Sequence, residues 1–394
     1  MKRAKLIAPS LRGVEVVALL RSARGSSRLW RSMWRAGKGR PLASLLPVAS
    51  LLAVTVIVQP VLVPAAGATT TVITGATASP SRPTPGPGKA NVWFAYATSG
   101  APADQKSCPA TSVVTRRCSL AQVLSLAGPG GRIDLATPGG AGVYRGNWRV
   151  VTGRTSASHP LTIEAASPGP RPVLSGNDGR TAGCGTPSCD GAVLSVGAGV
   201  HLELRDVIIR DANDTAGGLG GAVQNIQGGV VSISGSAFID DEANADGGAI
   251  DNADLDGTGT LTVAGSTFSN NFAVNGDGGA IANADLGGTD QVSVIGSSFL
   301  DNGALSGDGG AIDNGDTRGN GTLHVTGCLF EQNAAGRAGA IDNGDNATGT
   351  LTVASSSFIT NVAASGDAGA VDNADWGDRG PPTSPGPPSR ATTP

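Results

Sequence analysis

Between residues 217 and 375, apolar and polar positions fall into two short phrases that alternate along the chain. One phrase is strand-like. It reads VSISGSAF at 231–238, LTVAGSTF at 261–268, VSVIGSSF at 292–299, LHVTGCLF at 323–330 and LTVASSSF at 351–358. Alternation puts Leu261 and Val263 on one face and Thr262 on the other; Gly265 breaks the strand, after which Ser266 and Phe268 return to the inner face. The other phrase is turn-rich: GLGGAVQNIQ at 218–227, ADGGAIDNAD at 245–254, GDGGAIANAD at 276–285, GDGGAIDNGD at 307–316, GRAGAIDNGD at 336–345 and GDAGAVDNAD at 366–375.

The spacing separates rigid parts from variable ones. Ten positions always lie between the first apolar residue of the strand phrase and the Asp or Asn that follows its Phe, as from Leu261 to Asn271. The links vary: nine positions from Asn252 to Leu261, eight from Asn343 to Leu351. Rigid strands joined by variable turns predict a solenoid of stacked coils, here with a period of 28 to 31 residues between successive Phe positions. In such a stack each position becomes a column. Phe238, Phe268, Phe299, Phe330 and Phe358 are expected to form one interior column, and the Ile or Val at 223, 250, 281, 312, 341 and 371 another. Asn225, Asn252, Asn283, Asn314, Asn343 and Asn373, and the column from Asp241 through Asn361, are expected at turns. Asn tolerates left-handed backbone there, and its stacked amides can bond to one another as a ladder.

Before the repeats, ANVWFAYA at 90–97 reads as a strand. Residues 119–127, SLAQVLSLA, read as a short amphipathic helix in which Ser119 and Gln122 form a capping box and Gly128 to Gly131 stop it. Short β-rich runs follow at 132–136, 160–165, 192–196 and 201–209. The expected domains are an N-terminal cap over 90–131 and a coil stack over 132–375.

The blocks GGAV and GGAI, with FSNN, FLDN, FEQN and FITN, resemble the repeats of the chlamydial-type polymorphic outer membrane proteins, whose signatures are Gly-Gly-Ala-Ile/Leu/Val and Phe-x-x-Asn. The resemblance covers residues 217–375. It implies an all-β right-handed parallel β-helix of the pectin-lyase type, and a surface-exposed adhesive or structural role rather than a catalytic one. Residues 108–210 resemble the entry portion of bacterial secreted β-helices, in which CSLAQVLSLAGPGGRIDLA supplies a short helix covering the first coil. That family continues into a C-terminal autotransporter barrel. Here the repeats give way near Asp375 to a Pro-rich tail at 376–394, expected to be disordered, which puts outer-membrane insertion by this chain in question.

Composition agrees with a stacked, turn-rich molecule: 60 of 394 residues are Gly and only 4% are aromatic. Residues 1–41 hold 11 of the 28 basic residues and one of the 31 acidic ones, so the remainder carries 17 basic and 30 acidic residues, a net charge of −13. That balance excludes a nucleic-acid partner, which requires a basic footprint. The basic start, the uncharged run from Leu42 to Val63 and Ala66-Gly67-Ala68 together read as a signal peptide over 1–68, with Met33 an alternative start; a retained membrane anchor is the other reading. Residues 69–89 are a Thr/Pro/Gly-rich linker. Export places the chain outside the cell, secreted or at the cell surface. There Cys108 with Cys118 and Cys184 with Cys189 suit two local disulfides, a zinc site being the alternative. Cys328 shares the small inward column of Ser236, Ser266, Ser297 and Ser356 and is expected to be buried.

Three acidic columns carry the candidate chemistry. One is Asp246, Asp277, Asp308 and Asp367, interrupted by Arg337; a second is Asp251, Asp313, Asp342 and Asp372, interrupted by Ala282; the third, Asp254, Asp285, Asp316, Asp345 and Asp375, is unbroken. Stacked like charges repel, and either turn hydrogen bonds or bound calcium would offset that, with the third column the candidate calcium site. Polysaccharide lyases and hydrolases also use this scaffold, and need paired carboxylates or a metal with a base. The weak catalytic candidates are Arg205, Asp206, Arg210 and Asp211, which read first of all as a charged outer face of the coil. His324 falls in an outward column otherwise filled by Ser232, Thr262, Ser293 and Thr352. The expected role is a non-catalytic adhesin or structural protein, with a host surface, extracellular matrix or cell-envelope polysaccharide as partner. A carbohydrate-active enzyme is the alternative.

Overall fold

The computed structural model describes residues 92–97, 118–136, 142–151, 155–166, 170–179, 191–214, 218–225, 228–252, 257–284, 288–304, 306–315, 319–344, 349–365 and 368–373. Every strand of its four sheets pairs in parallel with the equivalent strand one coil away. A full coil passes through all four sheets, as in Thr260–Ala264, Thr267–Ser269, Phe272–Ala273 and Ile281–Asn283. Among the described residues the first sheet has nine strands, from Val92–Tyr96 (β1) to Thr350–Ala354; the second and fourth have eight each, and the third has six strands of two residues. The molecule is the right-handed parallel β-helix expected from the sequence, with the handedness that parallel crossovers adopt.

Register explains the columns. Phe238, Phe268, Phe299, Phe330 and Phe358 lie opposite one another in the second sheet. Their rings stack with centroids 4.7–4.9 Å apart and planes within 3–5° of parallel. The separation is that of paired strands, so strand pairing sets the ring spacing. Leu261, Val292 and Leu323 stack likewise in the first sheet, and Ile250, Ile281, Ile312 and Ile341 in the fourth. All are fully buried, giving one continuous core.

The corners explain the repeated turn phrase. In its second glycine position, a Cβ on Gly248, Gly279 or Gly310 would run into the carbonyl oxygen of Gly279, Gly310 or Gly339 of the next coil. The backbones approach too closely for any side chain. The preceding Gly247, Gly278 and Gly309 adopt φ of +59° to +62°, which glycine takes without steric cost. Two further corners are left-handed throughout. One runs through Asp206, Gly235, Gly265, Gly296, Gly327 and Ser355, the other through Asp211, Asp240, Asn270, Asp301, Gln332 and Thr360.

The N-terminal end is covered. Helix α1 (Leu120–Leu126) begins with the expected capping box: the Gln122 amide donates to Ser119 Oγ at 3.3 Å, and the Ser119 amide to Gln122 Oε1 at 2.9 Å. Leu120, Val123 and Leu124 are buried on the core beneath. Strand β1 pairs with β2 (Arg132–Ala136), and the Tyr144 hydroxyl, 2.7 and 2.8 Å from the carbonyls of Ala95 and Ala136, ties that edge down.

The structure departs from the sequence reading in several places, the two-residue strands of the third sheet among them. Val143–Arg145, Trp148–Val150 and Val173–Ser175 are strands that the hydrophobic pattern does not announce. The run at 201–209 divides into His201–Arg205 and Ile208–Arg210, because Asp206 turns left-handed at φ +54°. The Asn column from Asn225 to Asn343 ends the fourth-sheet strands and faces the interior instead of occupying turns. The signal peptide, Met33, the linker, the Pro-rich tail, Cys108, Cys184, Cys189 and the column Asp254, Asp285, Asp316, Asp345 and Asp375 lie outside the described residues.

Candidate functional site

The interior Asn side chains are bonded to one another. Asn225, Asn252, Asn283, Asn314 and Asn343 each donate Nδ2–H to the Oδ1 of the Asn one coil on, at 2.6–2.8 Å. In the second ladder Asn271, Asn302 and Asn333 do the same at 2.9 Å. That ladder also accepts main-chain N–H groups and donates to the carbonyls of Phe238, Phe268 and Phe299. Buried amides so engaged hold the stack and are not presented to a ligand. Ser266 and Ser297 accept the amides of Ser236 and Ser266 in the same way. Cys328 occupies the equivalent position, buried, with its amide donated to Ser356 Oγ and its thiol pushed up in pKa by burial. Cys118 is disulfide-bonded.

Two acidic columns are visible. The Asp277 amide donates to Asp246 Oδ1 at 2.8 Å and the Asp308 amide to Asp277 Oδ1 at 2.5 Å, so each carboxylate caps the backbone of the following coil. Arg337 interrupts this column and places Nε 3.6 Å from Asp308 Oδ1. Asp251, Asp313 and Asp342 are buried at the middle of fourth-sheet strands, with Ala282 between the first two. Among the described residues no three His, Cys, Asp or Glu side chains are grouped to hold a metal ion.

The outer face of the first sheet carries the most varied chemistry. In its first coils Phe94, Asp134, Glu164 and Arg205 form one outward column, and Arg132, Thr162 and Glu203 the next. Arg132 Nε lies 2.8 Å from Asp134 Oδ1 and 3.2 Å from Glu164 Oε1, while Arg205 pairs with Glu203, which also accepts Thr162 Oγ1–H at 3.1 Å. Beyond this ionic patch the outward column becomes Ser232, Thr262, Ser293, His324 and Thr352, flanked by Thr260, Gln291, Thr322 and Thr350.

The four weak catalytic candidates do not converge on one point. Arg205 belongs to the ionic patch. Asp206 and Asp211 occupy left-handed corners, at φ +54° each; the first is taken by Gly or Ser in later coils and the second by Asp, Asn, Gln or Thr. Arg210 leaves the far end of a second-sheet strand and pairs with Asp211 at 3.4 Å. Sequence reasoning missed Arg132, Asp134, Glu164 and Glu203. The available signal was charge at alternate positions in RID, TIE and ELR, unread because these strands carry no repeat phrase.

No protein-family model and no curated protein matches the chain. Among solved structures it is similar to the GH136 lacto-N-biosidase from Eubacterium ramulus, at 10% identity and a TM-score of 0.33, over 68% of this chain and 67% of that one. It is also similar to pectate lyase Pel9A, at 14% identity and a TM-score of 0.29, over 67% of this chain and 78% of that one. The fold assignment stands on strand register, and neither likeness bears on the site. Among the described residues no helix is long and apolar enough to cross a membrane.

Proposed function

We propose that the protein is an exported β-helical scaffold that engages a polysaccharide along the outer face of its first sheet, as a surface adhesin or structural component. The supporting observation is the register of that face. Ser232, Thr262, Ser293, His324 and Thr352 repeat strand after strand. A polymer lying along the axis would meet similar neutral donors and acceptors at every coil, and weak contacts repeated in this way add as avidity. The net charge of −13 beyond residue 41 favours a neutral polymer over a polyanion. The likeness of the repeat phrases to polymorphic outer membrane proteins supports the adhesive reading. Affinity electrophoresis through gels containing neutral polysaccharides tests it. The wild-type chain is expected to be retarded by at least one of them, and a Thr262→Arg, Thr352→Arg double variant to be retarded at least tenfold less with unchanged melting. Equal retardation of the two would contradict the placement.

A second reading, a polysaccharide lyase or hydrolase on the same scaffold, draws on the ionic patch. Glu164 and Glu203 present carboxylates beside Arg132 and Arg205 on neighbouring strands, with the buried Asp134 paired to Arg132, and carboxylates are the groups that proton transfer at a glycosidic bond employs. Release of new reducing or unsaturated chain ends, abolished by Glu164→Gln or Glu203→Gln, would favour this reading over the scaffold.

A further inference from the structure

Position 290 breaks the pattern of its column. The residue before each five-residue strand is Gly229, Gly259, Gly321 or Gly349 in the neighbouring coils, and here it is Asp290. Glycine is written there because the Asn ladder fills the space. A Cβ on Gly229 or Gly321 would run into Oδ1 of Asn225 or Asn314, and one on Gly349 would lie 2.6 Å from Oδ1 of Asn343. Asp290 places a carboxyl group at this inner corner, where the residue is 1% exposed. Its Oδ1 accepts the N–H of Gly259, and its Oδ2 has no hydrogen-bond partner among the described residues. The surrounding described segments are 250–252, 257–264, 281–284, 312–315 and 319–326. Their titratable groups are Asp251 and Asp313, one residue out of phase with the inward Asn252 and Asn314, and His324, exposed on the outer face.

We propose that this corner is a proton-controlled latch: the carboxyl group stays buried at the corner while it is neutral, and the carboxylate, with one oxygen left without a partner away from water, loosens it, so the coil opens locally as the solution passes from acidic to neutral. An orphaned buried oxygen is tolerable when protonated and costly when charged. Burial accordingly pushes the acid from 3.8 up to about 7, against the opposing bond from Gly259. Because the folded-state value is the raised one, the stabilisation is full below about pH 4 and is lost as the pH rises through about 7. Gln291, the next residue, lies exposed on the outer face of the first sheet, so the latch also adjoins the face assigned to the ligand.

Hydrogen exchange of the full chain between pH 4.5 and 8.5, corrected for intrinsic rates, reads the latch directly at residues 257–260 and 288–291. Opening of these amides should rise by roughly tenfold per pH unit up to about pH 7 and then level off. In Asp290→Asn the same amides should show no such slope. Asp290→Gly, which restores the residue of the neighbouring coils, should also be flat, and carries the test alone if the Asn variant fails to fold. A flat wild-type profile, or a variant that keeps the wild-type slope, would overturn the proposal.

Discussion

Phe299 shows what one residue contributes to a stack. Its ring is fully buried and lies between two others, 4.8 Å from each. Its neighbours are fixed by strand pairing and cannot collapse into a vacancy, so Phe299→Ala should cost about 3–5 kcal/mol in denaturant unfolding. Glycines divide sharply at this scale. Gly265 adopts φ +54° with nothing within 4 Å of the point a Cβ would occupy, and Ser355 and Asp206 take the same corner elsewhere. Gly265→Ala should therefore cost only about 1–2 kcal/mol, the penalty of a left-handed residue with a Cβ. Gly279→Ala would press its methyl on the Gly310 carbonyl and sit 2.5 Å from the Gly303 amide nitrogen. Backbone is in the way, so about 3 kcal/mol is expected, and equal melting shifts for the two variants would refute the close-approach argument.

At the scale of the element, each coil is held to the next by ladders as well as by strand pairing. Asn302 accepts from both the amide and the side chain of Asn271, and donates to Phe268 O and Asn333 Oδ1. Asn302→Ala should cost about 2–4 kcal/mol, because it strands buried partners on both sides, and the neighbouring strands at 267–269 and 298–300 should lose hydrogen-exchange protection first. An effect confined to one coil edge, or none, would count against the ladder. The same scale decides what can be read from sequence. The strand phrases and the Phe column are legible because each is written five times, so repetition alone lines the residues up into a column. Val143–Arg145, Trp148–Val150 and Val173–Ser175 are each written once, in different words, and the third sheet's strands are two residues long, too short for alternation to register. The ionic patch is illegible for a related reason. Arg132, Glu164 and Glu203 are neighbours only through the register of three strands, and that register is not marked by any repeat. The direction of the Asn column misleads because Asn near glycine ordinarily signals a turn, whereas burial in a stack allows its amides to satisfy one another.

At the scale of the whole molecule, the stack turns one strand face into a long, regular surface while its interior stays dry. Its interior Asn side chains are committed to the ladders, its left-handed Asp residues to the corners, and the visible acidic column that includes Asp277 to capping the next coil. The outer face of the first sheet is the proposed recognition surface, on which several coils would bind one polymer together. The most direct measurement is a hydrogen-exchange footprint of the full chain with and without a retarding polysaccharide, with the same samples assayed for newly released chain ends. The account predicts added protection in 230–234, 260–264, 291–295 and 322–326 together, with no new ends. Protection confined to a single coil or to another sheet, or release of chain ends, would contradict it.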